Sequence, residues 1–284
     1  DNRIHLVNRL PSFCASGHGG ALSLALDGDA AVEVSASSFI GNRTTCRHPD
    51  FAFDSEGAGD GGAVVVYGRA GYVFRDNFFS DNIGRRGGAI GVDQAHFSTL
   101  LIANNTFLGN RGNASGGGVA VINCCETRLH HNTLVGNSGS SSFGSQFAIV
   151  GSLPISIRYN AMSGESPTCT WGFINAIGQV DSNAYSDAGC AFVGETAALV
   201  EQGPLPFAPA AMLGGDVLSM APEYASALID AGPPGAACAE LHDVRGVPRP
   251  LDGDQDATPA CDIGAVESSF VPPLPSAIFS DGFE

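Results

Sequence analysis

The residues best able to do chemistry here are carboxylates, imidazoles and guanidinium groups, because the chain contains no lysine. Asp252, Asp254 and Asp256 alternate as D-x-D-x-D. Oxygen ligands at that spacing can converge on Ca²⁺ when the loop curls, and a solvated acidic turn is the alternative. It is not an EF-hand: the sixth and twelfth positions hold Ala257 and Ile263 in place of Gly and Glu. A second set is defined by asparagines that recur at 77, 105, 132, 160 and 183. Two residues before each stand Arg75, Ala103, His130, Arg158 and Asp181, and one residue nearer stand Asp76, Asn104, His131, Tyr159 and Ser182. Stacked repeats would turn one of these rows outward, where His130 or His131 beside Arg158 and Tyr159 could form a sugar-binding patch. Asp76, Asp81, His130 and Arg158 are the catalytic candidates. Glycoside hydrolysis needs two carboxyls ~5–9.5 Å apart. Asp76 and Asp81 flank "NFFS" and find no acid at the matching places of the next repeat. Lyase chemistry on uronic acids needs charge neutralisation and a base near the α-proton. Polar rows are also the ordinary outer surface of a repeat fold. No Walker lysine, GxSxG or HExxH motif is present, and no nucleotide or zinc cofactor is implied.

The elements that must position these residues are repeats. "SSFIGN", "NFFSDN", "NTFLGN" and "NTLVGN" end in Asn42, Asn82, Asn110 and Asn137, in steps of 40, 28 and 27 residues. The long first step fits an insertion near 43–59. Glycine pairs at 19–20, 61–62, 87–88 and 117–118 precede the repeats, and short β-rich runs such as "AVVVY" and "TLLIA" lie between. A period of 27–28 residues makes about three strands per repeat, and each repeat buries its apolar side only by stacking on the next. Phe39, Phe79, Phe107 and Leu134 then form an inner column, Asn77, Asn105, Asn132 and Asn160 a ladder in which Asn tolerates the left-handed turn, and the glycines supply positive φ. Propeller repeats run ~40–50 residues, too long for this spacing.

Net charge is −16, with thirteen arginines against 29 acids. That balance argues against nucleic acid as a partner and disfavours unaided binding of polyanionic sugars, although a divalent cation could bridge two anions. No apolar run reaches the ~20 residues of a membrane-spanning helix. Eight cysteines without a CxxC fit disulfides in an oxidising compartment. Sequence proximity suggests Cys14–Cys46, Cys169–Cys190 and Cys238–Cys261. Vicinal Cys124 and Cys125 could bridge only through a distorted turn. Three N-x-S/T sequons occur, at 42–44, 104–106 and 113–115.

The repeat pattern fades near residue 190, and twelve of the sixteen prolines lie from Pro204 onward. There the chain reads "ALIDAG" (227–232), "HDVRGVPRP" (242–250), "DGDQD" (252–256) and "CDIGAVE" (261–267). Through Asp230, Asp243, Arg245, Gly246, Arg249, Pro250, Asp262, Gly264 and Glu267, this stretch resembles the closing segment of bacterial β-helix proteins with choice-of-anchor Q domains. The upstream repeats resemble the wider pectate-lyase-like superfamily. The ending "IFSDGFE" (278–284) is similar to a C-terminal tag of exported Gram-negative proteins. The resemblance implies an extracytoplasmic protein, secreted or at the cell surface, and makes the sequons accidental. On the residues alone, Arg245 and Arg249 among so many aspartates point to buried ion pairs that hold an irregular segment together.

The expectation is an all-β chain: a single-stranded right-handed parallel β-helix over 1–194, closed by a loop-rich, proline-rich cap and tail over 195–284. Its surface would be a non-enzymatic one, binding or adhesive towards a carbohydrate or cell-surface glycan, or structural. A polysaccharide lyase or glycoside hydrolase is the alternative.

Overall fold

The computed structural model describes residues 20–269 except 27, 29–30, 48–53, 57–58, 94–98, 141–143, 152–153, 173–176, 191–194 and 202. The chain visits three sheets in the same order six times. The first sheet takes Leu22–Leu26, Val64–Gly68, Ile90–Asp93, Val119–Ile122, Phe147–Val150 and Cys169–Gly172. The second takes Ala31–Ser35, Gly71–Arg75, Thr99–Ala103, Glu126–His130, Ile155–Arg158 and Ile177–Asp181. The third takes Ser38–Ile40, Phe78–Ser80, Thr106–Leu108, Thr133–Val135, Ala161–Ser163, Ala184–Tyr185 and finally Leu199–Val200. Every pairing within these sheets is parallel. A single 3₁₀ turn, Ala188–Cys190, is the only helix among the described residues. This all-β stack of parallel strands fits a parallel β-helix.

Register explains the core. Val64, Ile90, Val119 and Phe147 stand over one another in the first sheet, and Phe74, Ile102, Leu129 and Ile157 in the second; all are buried. In the third, Phe39, Phe79, Phe107 and Leu134 are aligned as the repeats predict, followed by Met162 and Tyr185. The phenylalanine rings stack at 4.9 Å with interplanar angles of 7° and 5°. That separation is the inter-strand distance itself, so the backbone sets the ring spacing.

Two asparagine ladders tie the repeats together. Asn77 Nδ2 donates to Asn105 Oδ1, Asn105 to Asn132, Asn132 to Asn160 and Asn160 to Asn183, at 2.9–3.0 Å. Asn42, Asn82, Asn110 and Asn137 form the second, which ends on Gln146 Oε1. The ladder asparagines do not themselves take the left-handed conformation. The residue before each does: Asp76, Asn104, His131, Tyr159 and Ser182 have φ of 51–58°, and Gly41, Asp81, Gly109 and Gly136 have φ of 55–67°. The bend must precede the ladder residue so that its amide can turn inward. At the glycine corners, a Cβ on Gly62 would lie 1.9 Å from Gly88 O, so only glycine permits this stacking.

Three cysteine pairs are bridged: Cys124–Cys125, Cys169–Cys190 and Cys238–Cys261, the last two with Cα separations of 5.3 and 5.7 Å. Cys14, the side chain of Cys46 and the segment 278–284 lie outside the described residues. The disulfides fit an extracytoplasmic setting. No helix among the described residues is long and apolar enough to cross a membrane.

The proline-rich segment departs from the expected end cap, because its described contacts run along the flank of the stack. Val217, Val244, Ala265 and Val266 cluster with the outward Phe78, while Leu205, Leu228, Cys261 and Ile263 cluster with Tyr159, Ala161 and Ala184. Ala265 N–H donates to Thr133 Oγ1 at 2.9 Å. The outer face of the third sheet is thus rich in apolar and small side chains, and covering it is what this segment gains by lying sideways.

Within that segment the arginines and acids form the internal lattice the sequence suggests. Arg249, whose side chain is fully buried, donates to Glu267 Oε2 and, at 2.9 Å, to Gly264 O. Glu267 Oε1 accepts from Leu251 N–H at 2.8 Å, and Asp262 accepts from Asp230 and Ser268 N–H at 2.8 and 2.6 Å. Asp243 gathers Arg245, Val247 and Glu267 N–H together with the Arg245 guanidinium. Burial raises the pKa of Glu267 and pushes that of Asp262 up to about 7, with Glu267 adding to the latter. Burial lowers that of Arg249 against the pull of Glu267.

Candidate functional site

Both polar rows lie on adjacent positions at the edge of the second sheet, and their alignment is as the spacing predicts: Arg75, Ala103, His130, Arg158 and Asp181 are consecutive partners. The two rows differ in what covers them. His131 and Tyr159 stack at 4.6 Å and are fully buried, with Arg158 5.2 Å from the Tyr159 ring centre. The flank segment roofs this row: Asn104 Nδ2 donates to His242 O at 2.8 Å, and Gly264 N–H donates to Tyr159 O at 2.8 Å. Burial, then the charges of Arg249 and His130, hold the His131 pKa well below its usual value. His131 and Tyr159 are therefore not offered to a ligand in this arrangement.

The row beside it reaches the edge of the roof. His130 Nε2 lies 3.0 Å from Ser156 Oγ, and His130 Nδ1 lies 3.2 Å from Glu240 Oε1. Arg158 Nε bonds both oxygens of Asp181, at 2.9 and 3.0 Å. Ser156 and Glu240 were not singled out from the sequence. Ser156 was findable, since it falls one 28-residue step less two residues after His130 and so sits diagonally across on the same face. Glu240 lies in a segment without repeats, and no spacing rule reaches it.

Asp76 sits partly buried at the same seam with Oδ1 unpartnered. Burial pushes its pKa up to about 6; Asn104 and Arg75 oppose this, while Glu240 and Asp243 reinforce it. Its acidic neighbours thus come from the flank segment and not from the next repeat. A carboxyl whose folded pKa exceeds its unfolded one stabilises the fold when protonated, and that contribution is lost as pH rises through about 6. Asp76→Asn is therefore expected to raise stability at pH 8 by ~1 kcal/mol, after allowance for solvent screening, and to flatten the change between pH 7 and 5. Urea melts across that range measure it.

Asp81 is exposed and accepts from Ser80 Oγ at 2.6 Å. It occupies a left-handed position held by glycine in the neighbouring repeats, which Asp tolerates. A separate ionic cluster joins Arg85 and Arg86 to buried Asp60, and Arg86 also to Asp93 at 2.7 Å. Both arginines beside the glycine turn are thus tied to the buried Asp60, although the Arg85 side chain also reaches solvent.

In the acidic stretch, the carboxylates that converge are those of Asp230, Asp252 and Asp254, within 4.8 Å of one another. Asp256 instead accepts from Thr258 N–H at 2.7 Å. Asp230 already accepts from Gly253, Asp254 and Ala260 N–H, so it also closes its own loop. Where the third sheet meets the start of the proline-rich segment, a groove of about 390 Å³ is lined by Asn137, Ser138, Ser163, Glu165, Ser186 and Pro204 among others.

No protein-family model, curated protein or solved structure matches this chain.

Proposed function

We propose that this protein is an extracytoplasmic right-handed parallel β-helix, of the pectate-lyase-like kind with a choice-of-anchor Q-type closing segment, whose surface binds carbohydrate or serves a structural role without cleaving glycosidic bonds. The observation that supports this reading is the coverage of the polar rows. His131 and Tyr159 are roofed, and Arg158 is engaged by Asp181. The groove of about 390 Å³ carries Glu165 as its one carboxylate, where hydrolysis needs two. Small hydroxyl and amide side chains along that groove suit the hydroxyl groups of a neutral glycan better than an anionic one, in keeping with the net charge of −16.

A glycan array and a polysaccharide-cleavage screen, each with and without calcium, test the proposal. Binding to at least one glycan with no new chain ends is the expected result. New reducing or unsaturated ends from pectate, alginate or a neutral glycan, abolished by Asp76→Asn or Asp81→Asn, would promote the lyase or hydrolase reading instead.

A further inference from the structure

We propose that Ser156, His130 and Glu240 form a nucleophile–base–carboxylate triad that hydrolyses carboxylic esters. Ser156 Oγ stands 3.0 Å from His130 Nε2, and Glu240 Oε1 stands 3.2 Å from His130 Nδ1. A carboxylate can only accept, so the Nδ1 proton faces Glu240, and Nε2 is left free to take the proton of Ser156. These are the contacts by which a base activates a serine hydroxyl and a third group orients the base. Three separate parts of the chain supply them. His130 ends one strand, Ser156 points outward from the strand of the next repeat, and Glu240 is held two residues after Cys238, which is bonded to Cys261.

The surroundings suit acyl transfer. Ser156 is partly exposed, whereas the His130 and Glu240 side chains are only 11 and 15% exposed, so the nucleophile meets solvent and its activating pair is shielded. Arg128 is the register partner of Ser156, and Arg158 lies two residues along the same strand, on the same face. Each guanidinium is itself paired, Arg128 with Glu126 and Arg158 with Asp181, so two ion pairs flank the nucleophile on this face. Leu241, 76% exposed, follows Glu240 and offers an apolar surface beside the triad.

In the first step Ser156 Oγ bonds to the ester carbonyl carbon while its proton passes to His130 Nε2. The carbon–oxygen bond to the alcohol then breaks, and the leaving alcohol takes that proton. Water attacks the acyl-serine with His130 again accepting the proton. The acid departs, and the proton returns to Ser156. No further reactant is required. Ester hydrolysis leaves a polymer backbone intact, so it is compatible with a surface that binds glycans without cutting them. If the binding reading holds, the substrate class is an O-acylated carbohydrate, but the triad does not depend on it.

The test uses the full chain with 4-nitrophenyl acetate, O-acetylated xylan and a fluorophosphonate probe. We expect a fluorophosphonate adduct on Ser156 and release of acetate from at least one ester. Ser156→Ala, which removes one outward hydroxyl, should lower the rate roughly a hundredfold or more with the melting curve unchanged. Glu240→Gln tests a positioning role: kcat should fall with KM little altered, and the acid limb of the pH–rate profile should move, neither of which a purely structural Glu240 would produce. Failure to hydrolyse either ester, a rate unchanged in Ser156→Ala, or no adduct on Ser156 overturns the proposal. None of these outcomes touches the glycan-binding result.

Discussion

Replacing Arg249 by methionine is expected to cost ~3–5 kcal/mol, because it strands a buried charge. Arg249 and Glu267 are both without side-chain exposure, and Glu267 also receives the backbone N–H groups of Leu251 and Asp262. Removing the cation leaves that carboxylate next to Asp262 without its ion-pair partner. The Gly264 carbonyl loses its guanidinium donor as well. The loss should be smaller at pH 5 than at pH 8: the pKa values of Asp262 and Glu267 are already raised, and protonation then relieves the unpaired charge. Adding Glu267→Gln to Arg249→Met should recover part of the loss, since the charge itself is gone. Urea unfolding at both pH values measures this through the midpoint at constant slope. Equal stability of Arg249→Met and the parent at pH 8 would show that the ion pair is not what holds the flank segment.

Phe107→Ala should cost ~3–5 kcal/mol through a different term, the cavity. Phe107 lies between Phe79, stacked at 4.9 Å, and Leu134, its register partner on the other side, and is fully buried. Parallel strands fixed by two amide ladders cannot collapse into the gap without breaking register, so little of the cost is recovered by relaxation. Phe39→Ala is the internal comparison. It sits at the first described repeat with 7% exposure and, among the described residues, stacks on Phe79 alone, and should cost clearly less. Similar losses at the two positions would show that the column does not act through two-sided packing.

These two sites also mark the boundary of what the sequence discloses. The phenylalanine column and the asparagine ladders are legible because parallel stacking turns sequence period directly into contact. Residues 27 or 28 apart become neighbours, and types that work only in stacks recur at that interval. The left-handed residue lies one position earlier than the pattern suggests, because a ladder amide must turn inward while its predecessor bends the chain. The path of the flank segment follows no period. Its course is set by an apolar outer face on the third sheet that reads, in sequence, as ordinary alternation. The proximity of Glu240 to Asp76 and His130 was hidden for the same reason. Each acid looks solitary until a segment more than a hundred residues away is laid beside it.

The ladders have a direction. Each side-chain amide accepts from the repeat before it and donates to the repeat after it, so the dipoles along Asn77, Asn105, Asn132, Asn160 and Asn183 all point the same way. At the far end Asn183 Nδ2 donates, at 2.8 Å, to Glu195, an anion that accepts and cannot pass the chain on; Tyr185 Oη bonds its other oxygen at 2.9 Å. A stack of identical rungs with open ends is a template for filaments, since another copy could simply continue the series. Glu195 gives this series a terminus. A second molecule arriving end to end would meet a spent donor and a negative charge where it needs a free amide, so the same polarity that aligns the repeats also counts against polymerisation at that end.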